Sequence, residues 1–366
     1  MKTELSDGEL DTYARQVVLS DIGYDGQLAL RNASVCLIGL GGLGSQLAPR
    51  MVGMGIGRLR MVDRDIVSRS DLHRQTLYDV DTVGRPKVEV AFERLGRLNP
   101  DVELTPFAAS LNPANAEALI GDAHVVLDGL DTPEARYIMN RVCHRRGIPY
   151  VFGAAIEAFG SVSTLIPGQS MCLECFMPGF RNEDLPKCGV VGVHPAVLGI
   201  VTGIQVSEAV RLLLGKKPAL INKLLQIDLR EMAFETIDLK ARKSCSVCGS
   251  EPMDGEDAPP PRWIEETCAR DGKRNVIISP REPIEVPLEK LQKALLKKSY
   301  TVKTAGSFGI TFESTEGITL CLLHSGTLIA QIPPHLDTVP KEALLERYAD
   351  LLVGEMRFSP EIIPKT

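Results

Sequence analysis

Short, wholly apolar runs recur through the first two-thirds of the chain, separated by stretches whose apolar positions fall three and four residues apart. Residues 33–38 (ASVCLI) and 58–63 (RLRMVD) read as strands, as do 102–109, 124–130, 148–155 and 161–167. Residues 45–54, 87–98, 114–120 and 133–146 have helical spacing, and a shorter helix is expected near residues 13–19. Apolar strands alternating with helices predict a mostly parallel sheet covered on both faces, an α/β class. Pro49 is awkward inside its helix, where an interior proline costs about 3 kcal/mol. Residues 195–214 form a long apolar helix with no charge before Glu208, expected at a domain centre or a subunit interface.

The pattern changes after Gly249. Residues 250–262 are acidic and then proline-rich, which predicts an exposed linker. Beyond it come a strand at 275–279, a helix at 288–298, and β segments at 299–304, 309–314 and 318–332. His324-Ser325-Gly326 is placed as a hairpin turn, and a helix at 341–352 ends the pattern. The expected organisation is residues 1–249, a linker over 250–274, and a small α+β unit over 275–366. A length of 366 residues suits two domains.

Net charge narrows the partners. Forty-one Lys+Arg against 47 Asp+Glu leaves −6, which argues against nucleic acid or an anionic membrane as the main partner. No apolar run approaches the length of a membrane span, and Glu4, Asp7, Glu9 and Asp11 make a secretory signal unexpected. A reducing cytoplasm is the expected setting, which turns patterned cysteines towards metal or catalysis.

The candidate chemistry begins between the first two strands. Gly39-Leu40-Gly41-Gly42-Leu43-Gly44 follows a strand and opens a helix, so backbone amides can approach a phosphate at the helix N-terminus. Asp63 ends the next strand, placed to accept from a ribose hydroxyl. Taken alone, this Rossmann-like pattern also suits a nicotinamide-dependent dehydrogenase. Arg74-Gln75 and Gly84-Arg85-Pro86-Lys87 then return cationic groups, which suits a triphosphate.

The stretch DRDIVSRSDLHRQTL…VGRPK, the glycine loop, and the Asp63 and Asp128–Asp131 strand ends together resemble a known adenylation domain. It is shared by ubiquitin-activating enzymes and the sulfur-carrier adenylyltransferases of molybdopterin and thiamine synthesis (the MoeB–ThiF–HesA group). The similarity runs over residues 11–249. It implies that Gly39, Gly41, Gly42 and Gly44 line an ATP site, that Asp63 holds the ribose, and that Arg74, Gln75 and Lys87 contact the triphosphate. It further implies that Asp131 binds Mg²⁺ and that Arg15, in Tyr13-Ala14-Arg15-Gln16, reaches the phosphates of a partner subunit in a homodimer. The plainer alternatives are a solvated Arg15, an Asp128 that caps a turn, and an Asp131 that caps the helix after it. Two positions depart from the family pattern: Asp71 stands where Asn is usual, and Thr132 replaces the Asn after the magnesium ligand. Asp71 would repel phosphates unless Arg74 or Mg²⁺ compensates.

Nine cysteines are present. Cys172-Leu173-Glu174-Cys175 and Cys245-Ser246-Val247-Cys248 are two C-x-x-C knuckles, the spacing of a closed, structural four-sulfur zinc site. Cys188, beside Lys187, is a candidate nucleophile for a thioester, a persulfide or an acyl-disulfide bond. Cys36, Cys143 and Cys321 read as core, and Cys268 is uninformative. His73, His124, His144, His194 and His324 form no ligand-spaced pair.

The resemblance implies ATP-dependent adenylation of a ubiquitin-like or sulfur-carrier protein ending in Gly-Gly, followed by transfer to sulfur. A sulfur donor or a conjugating enzyme would be the next partner, and the two outcomes stay open. A catalytically dead scaffold that binds a ubiquitin-like protein is a further alternative, resting on Asp71 and Thr132.

Overall fold

The structure is a computed structural model that describes residues 2–180, 191–251, 262–268 and 273–365. Its first sheet contains β1 (Ser34–Ile38), β2 (Arg58–Asp63), β3 (Glu103–Ala108), β4 (Val125–Asp128), β5 (Tyr150–Ile156), β6 (Phe159–Leu165), β7 (Lys223–Asp228) and β8 (Ala233–Asp238). The spatial order is β3-β2-β1-β4-β5-β6-β7-β8. The first five strands are parallel, and β6, β7 and β8 extend the sheet antiparallel. Every strand expected before residue 170 is present, with no end moved by more than two residues.

The hairpin of β7 and β8 was not expected, for a physical reason. At the sheet edge β8 is almost wholly exposed and β7 half so, which leaves no clean apolar alternation to read.

Along β1, Val35 and Leu37 face one core, with the Gly44–Gly53, Lys87–Leu98 and Pro195–Leu213 helices. Cys36 and Ile38 face another, with the Ala116–Ile120 and Pro133–Arg146 helices, and Cys143 lies there too. The order in which strands are added to the sheet reverses between β1 and β4, so their carboxyl ends open a crevice of the kind that takes nucleotides.

Pro49 does not break its helix. Lacking an N–H, it leaves the carbonyl of Ser45 without its helical donor, and Thr76 Oγ1 donates to that oxygen at 3.0 Å. The substitute bond ties the Gly44–Gly53 helix to the segment that carries Arg74 and Gln75.

The Pro195–Leu213 helix starts with proline, and His194 Nδ1 accepts from the amide of Ala196 at 3.1 Å. It is long and apolar enough to cross a bilayer, yet half of it is buried, and it packs across β4, β5 and β6. Its buried Glu208 is satisfied by Thr164 Oγ1 and the amides of Ala219 and Leu220 at 2.7–2.9 Å.

The second sheet is wholly antiparallel, with β9 (Ile264–Cys268), β10 (Arg274–Ile278), β11 (Thr301–Ala305), β12 (Gly309–Glu313), β13 (Thr319–Leu323) and β14 (Leu328–Ile332) in the order β11-β12-β13-β14-β10-β9. The strand β9 falls inside the stretch expected to be linker; it lies on the sheet edge, with charged Glu265 and Glu266 at its centre, so its sequence resembles a loop. Turn residues 324–326 join β13 to β14 as expected, with Gly326 at φ 82°. One sheet face packs on the Leu288–Lys297 and Lys341–Ala349 helices. From the other, Ile277, Cys321, Leu323 and Ile329 enter the core of the first unit. The C-terminal unit is therefore docked against the larger one.

Candidate nucleotide site and cysteine cluster

The glycines of the loop after β1 divide into two kinds. A Cβ on Gly44 would stand 1.8 Å from the carbonyl oxygen of Gly39, and one on Gly39, which has φ +90°, would stand 2.5 Å from that of Gly129. These two glycines let the turn close against β4. Gly41 has only Gln75 Nε2 near it, at 4.0 Å, and Gly42 only the Leu198 side chain, at 3.2 Å. Around Gly41 the loop is open to a ligand's close approach, whereas Gly42 packs tightly against Leu198. Two bonds set its shape: the amide of Leu40 donates to Asp63 Oδ2 at 2.6 Å, and the Tyr78 hydroxyl donates to the carbonyl of Leu40 at 2.9 Å.

Asp63 sits at the carboxyl end of β2 and also accepts from the amide of Asp65 through Oδ1 at 2.6 Å. Burial, reinforced by the Asp65 carboxylate, pushes its pKa up to about 6. Burial also opposes ionisation of Asp65, but Lys87 and Arg64 outweigh it and hold that carboxyl below its usual range. Lys87 is 4% exposed. Its Nζ lies 3.1 Å from Asp65 and 3.7 Å from Asp71, and these carboxylates keep it charged against the cost of burial.

Asp71 is where the sequence posed its sharpest question. Its carboxylate accepts from Arg74 Nη2 at 3.0 Å, Gln75 Nε2 at 2.8 Å and the amide of Ser68 at 3.0 Å. The structure thus brings Asp63, Asp71, Arg74, Gln75 and Lys87 together beside the glycine loop, with Asp71 already compensated. Gln75 Oε1 is buried without a hydrogen-bond partner, an acceptor left over in a site otherwise rich in donors.

The far wall comes from β4. Asp128 is fully buried and accepts from the amide of Leu130, Arg136 Nε and the Tyr150 hydroxyl at 2.6–3.0 Å. Burial raises its pKa against the pull of Arg136. It holds the turn, as the plainer alternative has it. Asp131 is exposed beyond that turn, and the Pro133–Arg146 helix after it has Thr132 at its N-cap with no side-chain capping bond. Arg15 is exposed on the Ala14–Val17 helix. Its motif neighbours point inward: Tyr13 accepts from Asn99 Nδ2 at 2.7 Å, and Gln16 Nε2 donates to the carbonyl of Met54 at 3.0 Å. Arg15 is not gathered with the residues around the loop.

Sequence reasoning passed over Asp65, Tyr78 and Gly129. The Asp63-x-Asp65 spacing was a readable signal for the first. Nothing local marks Tyr78, whose role depends on chain distant from it.

The two cysteine knuckles, far apart in sequence, meet. Cys172 Sγ lies 3.6 Å from Cys245 Sγ and Cys175 Sγ lies 3.3 Å from Cys248 Sγ, with all four sulfurs within 4.8 Å of one another and none in a disulfide. Tetrahedral zinc with Zn–S bonds of about 2.3 Å needs sulfurs about 3.8 Å apart. The donor set fits. Burial pushes the Cys248 thiol up to about 12, so a cation is what would let these sulfurs be thiolates together. Gly249 is required by the second knuckle, since a Cβ there would lie 2.3 Å from the carbonyl oxygen of Lys243. Cys188 lies outside the described residues.

Comparison with known proteins places this geometry. The model of the ThiF family matches residues 13–247, more than half of the chain. The chain belongs to the ThiF family. Relatives include the SAMP-activating enzyme E1 of Haloferax volcanii, 36% identical over 69% of this chain and 94% of that protein. The molybdopterin-synthase adenylyltransferase of Escherichia coli is 37% identical over 67% of this chain and 99% of that protein. The adenylyltransferase and sulfurtransferase MOCS3 of Drosophila grimshawi is 37% identical over 68% of this chain but only 56% of its own length. Among solved structures, E. coli MccB shares the fold, with a TM-score of 0.58 at 21% identity over 67% of this chain and 74% of that one. The ThiF match ends before the second sheet begins.

Proposed function

We propose that this ThiF-family chain transfers AMP from ATP to the C-terminal carboxylate of a ubiquitin-like or sulfur-carrier protein ending in Gly-Gly. The observation that carries this reading is the cluster of Arg74, Gln75 and buried Lys87 beside the open face of the glycine loop. A dinucleotide site needs the loop and Asp63 but has no use for these cations. The compensation of Asp71 by Arg74 and Lys87 removes the main support for an inactive scaffold.

In the reaction, a carboxylate oxygen of the partner attacks the α-phosphorus of ATP. The bond from that phosphorus to the bridging oxygen breaks, and pyrophosphate leaves with the electron pair. The side chains supply position and charge rather than covalent chemistry. Asp63 accepts from the ribose, amides of residues 41–44 face the phosphates, and Arg74 and Lys87 offset their charge. Asp131 is the residue we assign to Mg²⁺, which when bound would offset further phosphate charge. Arg15 reaches the site of a second copy in a homodimer, which accounts for its exposure in the single chain.

The acyl-adenylate then loses AMP to a sulfur nucleophile. Cys188 is our candidate for a thioester, with a sulfur donor that yields a thiocarboxylate as the other route. Cys321 is no sulfur carrier, since it is fully buried and burial pushes its thiol up to about 12. Zinc on Cys172, Cys175, Cys245 and Cys248 would pin the end of the unit to its middle. A reducing, cytoplasmic setting belongs to this reading, because it would keep the four clustered sulfurs available for zinc.

Incubating the chain with a Gly-Gly-ending ubiquitin-like protein and ATP labelled at the α-phosphate tests the reaction. Label should appear on the partner and be lost when its final glycine is removed. Binding of ATP with no transfer to any such partner would overturn the reading.

A further inference from the structure

The C-terminal sheet has no chemical part in adenylation, yet its inner face holds the nucleotide crossover at successive points. Gln331 Nε2 reaches Ser68 Oγ at 3.5 Å, and the amide of Ser68 holds Asp71. The hydroxyls of Thr304 and Thr311 both donate to the carbonyl of Gly84, at 3.2 and 2.5 Å. The amide of Phe308 donates to Glu89 Oε2 at 3.1 Å, while Arg85 Nη2 donates to Oε1 of the same carboxylate at 2.8 Å. Lys87 lies between Gly84 and Glu89, gripped on both sides.

Local sequence builds this grip. The pairing of β11 with β12 slips after Val302, so Thr304 rather than Lys303 stands opposite Thr311. The bulge brings both hydroxyls to one carbonyl and sends Lys303 to Glu313, 3.2 Å away. Gly306 makes room for the second contact: a Cβ there would lie 2.0 Å from Glu89 Oε1, and Glu89 is 4% exposed with little space to retreat. Behind the grip, residues 65–67 run against 84–87 through the amides of Val67, Gly84 and Lys87, each bonded at 2.8–2.9 Å. Force applied at Gly84 is thus passed to the segment just after β2 that carries Asp65, the partner of Lys87.

We infer that the C-terminal unit is a brace for the nucleotide crossover, in which Thr304, Thr311 and the Phe308 amide are positioning groups that fix Lys87. Docking of this unit and nucleotide affinity are therefore coupled. The coupling rests on the nucleotide reading of the crossover; the brace itself does not.

The test uses the full chain and the isosteric double variant Thr304→Val/Thr311→Val, read by amide exchange and by calorimetric titration with MgATP. Exchange at Val67, Gly84 and Lys87 should quicken while Val276 and Leu322 in the C-terminal core keep their protection. The MgATP Kd should rise about tenfold, most of what two lost hydrogen bonds allow. Thr304→Ser/Thr311→Ser should restore both readouts, which a general loss of packing would not. Gly306→Ala, which displaces Glu89, should repeat the pattern, and Thr304→Val alone serves if the double variant does not fold. Unchanged exchange at the three amides overturns the brace. Faster exchange with unchanged MgATP affinity overturns the coupling. A wild-type chain that binds no MgATP defeats the nucleotide reading and with it the coupling, while the exchange rates still decide the brace.

Discussion

Asp71 brings a carboxylate to the site we propose for phosphates, and its partners explain how the charge is tolerated. Arg74, Gln75 and Lys87 all turn towards it, so the groups that would meet ATP are held ready by an internal anion. Phosphates must compete with that anion for the same cations. Asp71→Asn should therefore tighten MgATP binding about threefold and lower stability by about 1 kcal/mol as the ion pair to Arg74 is lost. Calorimetry and thermal denaturation read the two effects. Asp63 carries a different prediction. Its folded pKa lies above the ordinary 3.8, so its contribution to stability is full below 3.8 and is lost as pH rises through about 6. Ligand binding runs the other way, because the ribose needs the ionised acceptor. Affinity for adenosine, which has no phosphate to titrate, should fall as pH drops through about 6. A flat profile from pH 7 to 5 would remove Asp63 from the ribose contact. From sequence, Asp63 and Lys87 were legible because each ends or begins a patterned element. The compensation of Asp71 was not, because it depends on how a loop folds on itself.

At the scale of elements, the strand–helix alternation was plain where both faces are buried and faded where they are not. β1 and β4 are continuous apolar runs and could be placed to within a few residues. β8, on a sheet edge, has no buried residue, and residues 264–266 of the edge strand β9 are half-buried or exposed, so neither shows a pattern. Pro49 shows the reverse case, a local conflict resolved at a distance by Thr76. The cysteine knuckles were readable as pairs from their spacing, and the fold brings the pairs into one cluster. Metal analysis should find about one zinc per chain, and Cys245→Ser should lose it and unfold at a lower temperature. Wild-type chain with no zinc would leave the four thiols as a chance cluster.

For the whole molecule, the change of pattern after Gly249 was visible in composition, but the docking of the second sheet against the first unit was not. Contacts such as Thr311 to Gly84 and Ile277 in the first unit's core join residues about two hundred positions apart, and no local pattern encodes them. Because the two units share a core, heating should give one cooperative transition rather than two. Adenylation of a protein carboxylate is reversible, so labelled pyrophosphate should exchange into ATP. Exchange should occur only when a Gly-Gly-ending ubiquitin-like partner is present, and should fall about a hundredfold or more in Lys87→Ala, as expected for removing a charge that stabilises the transition state. Exchange that proceeds equally without the partner, or equally in Lys87→Ala, would contradict this reading.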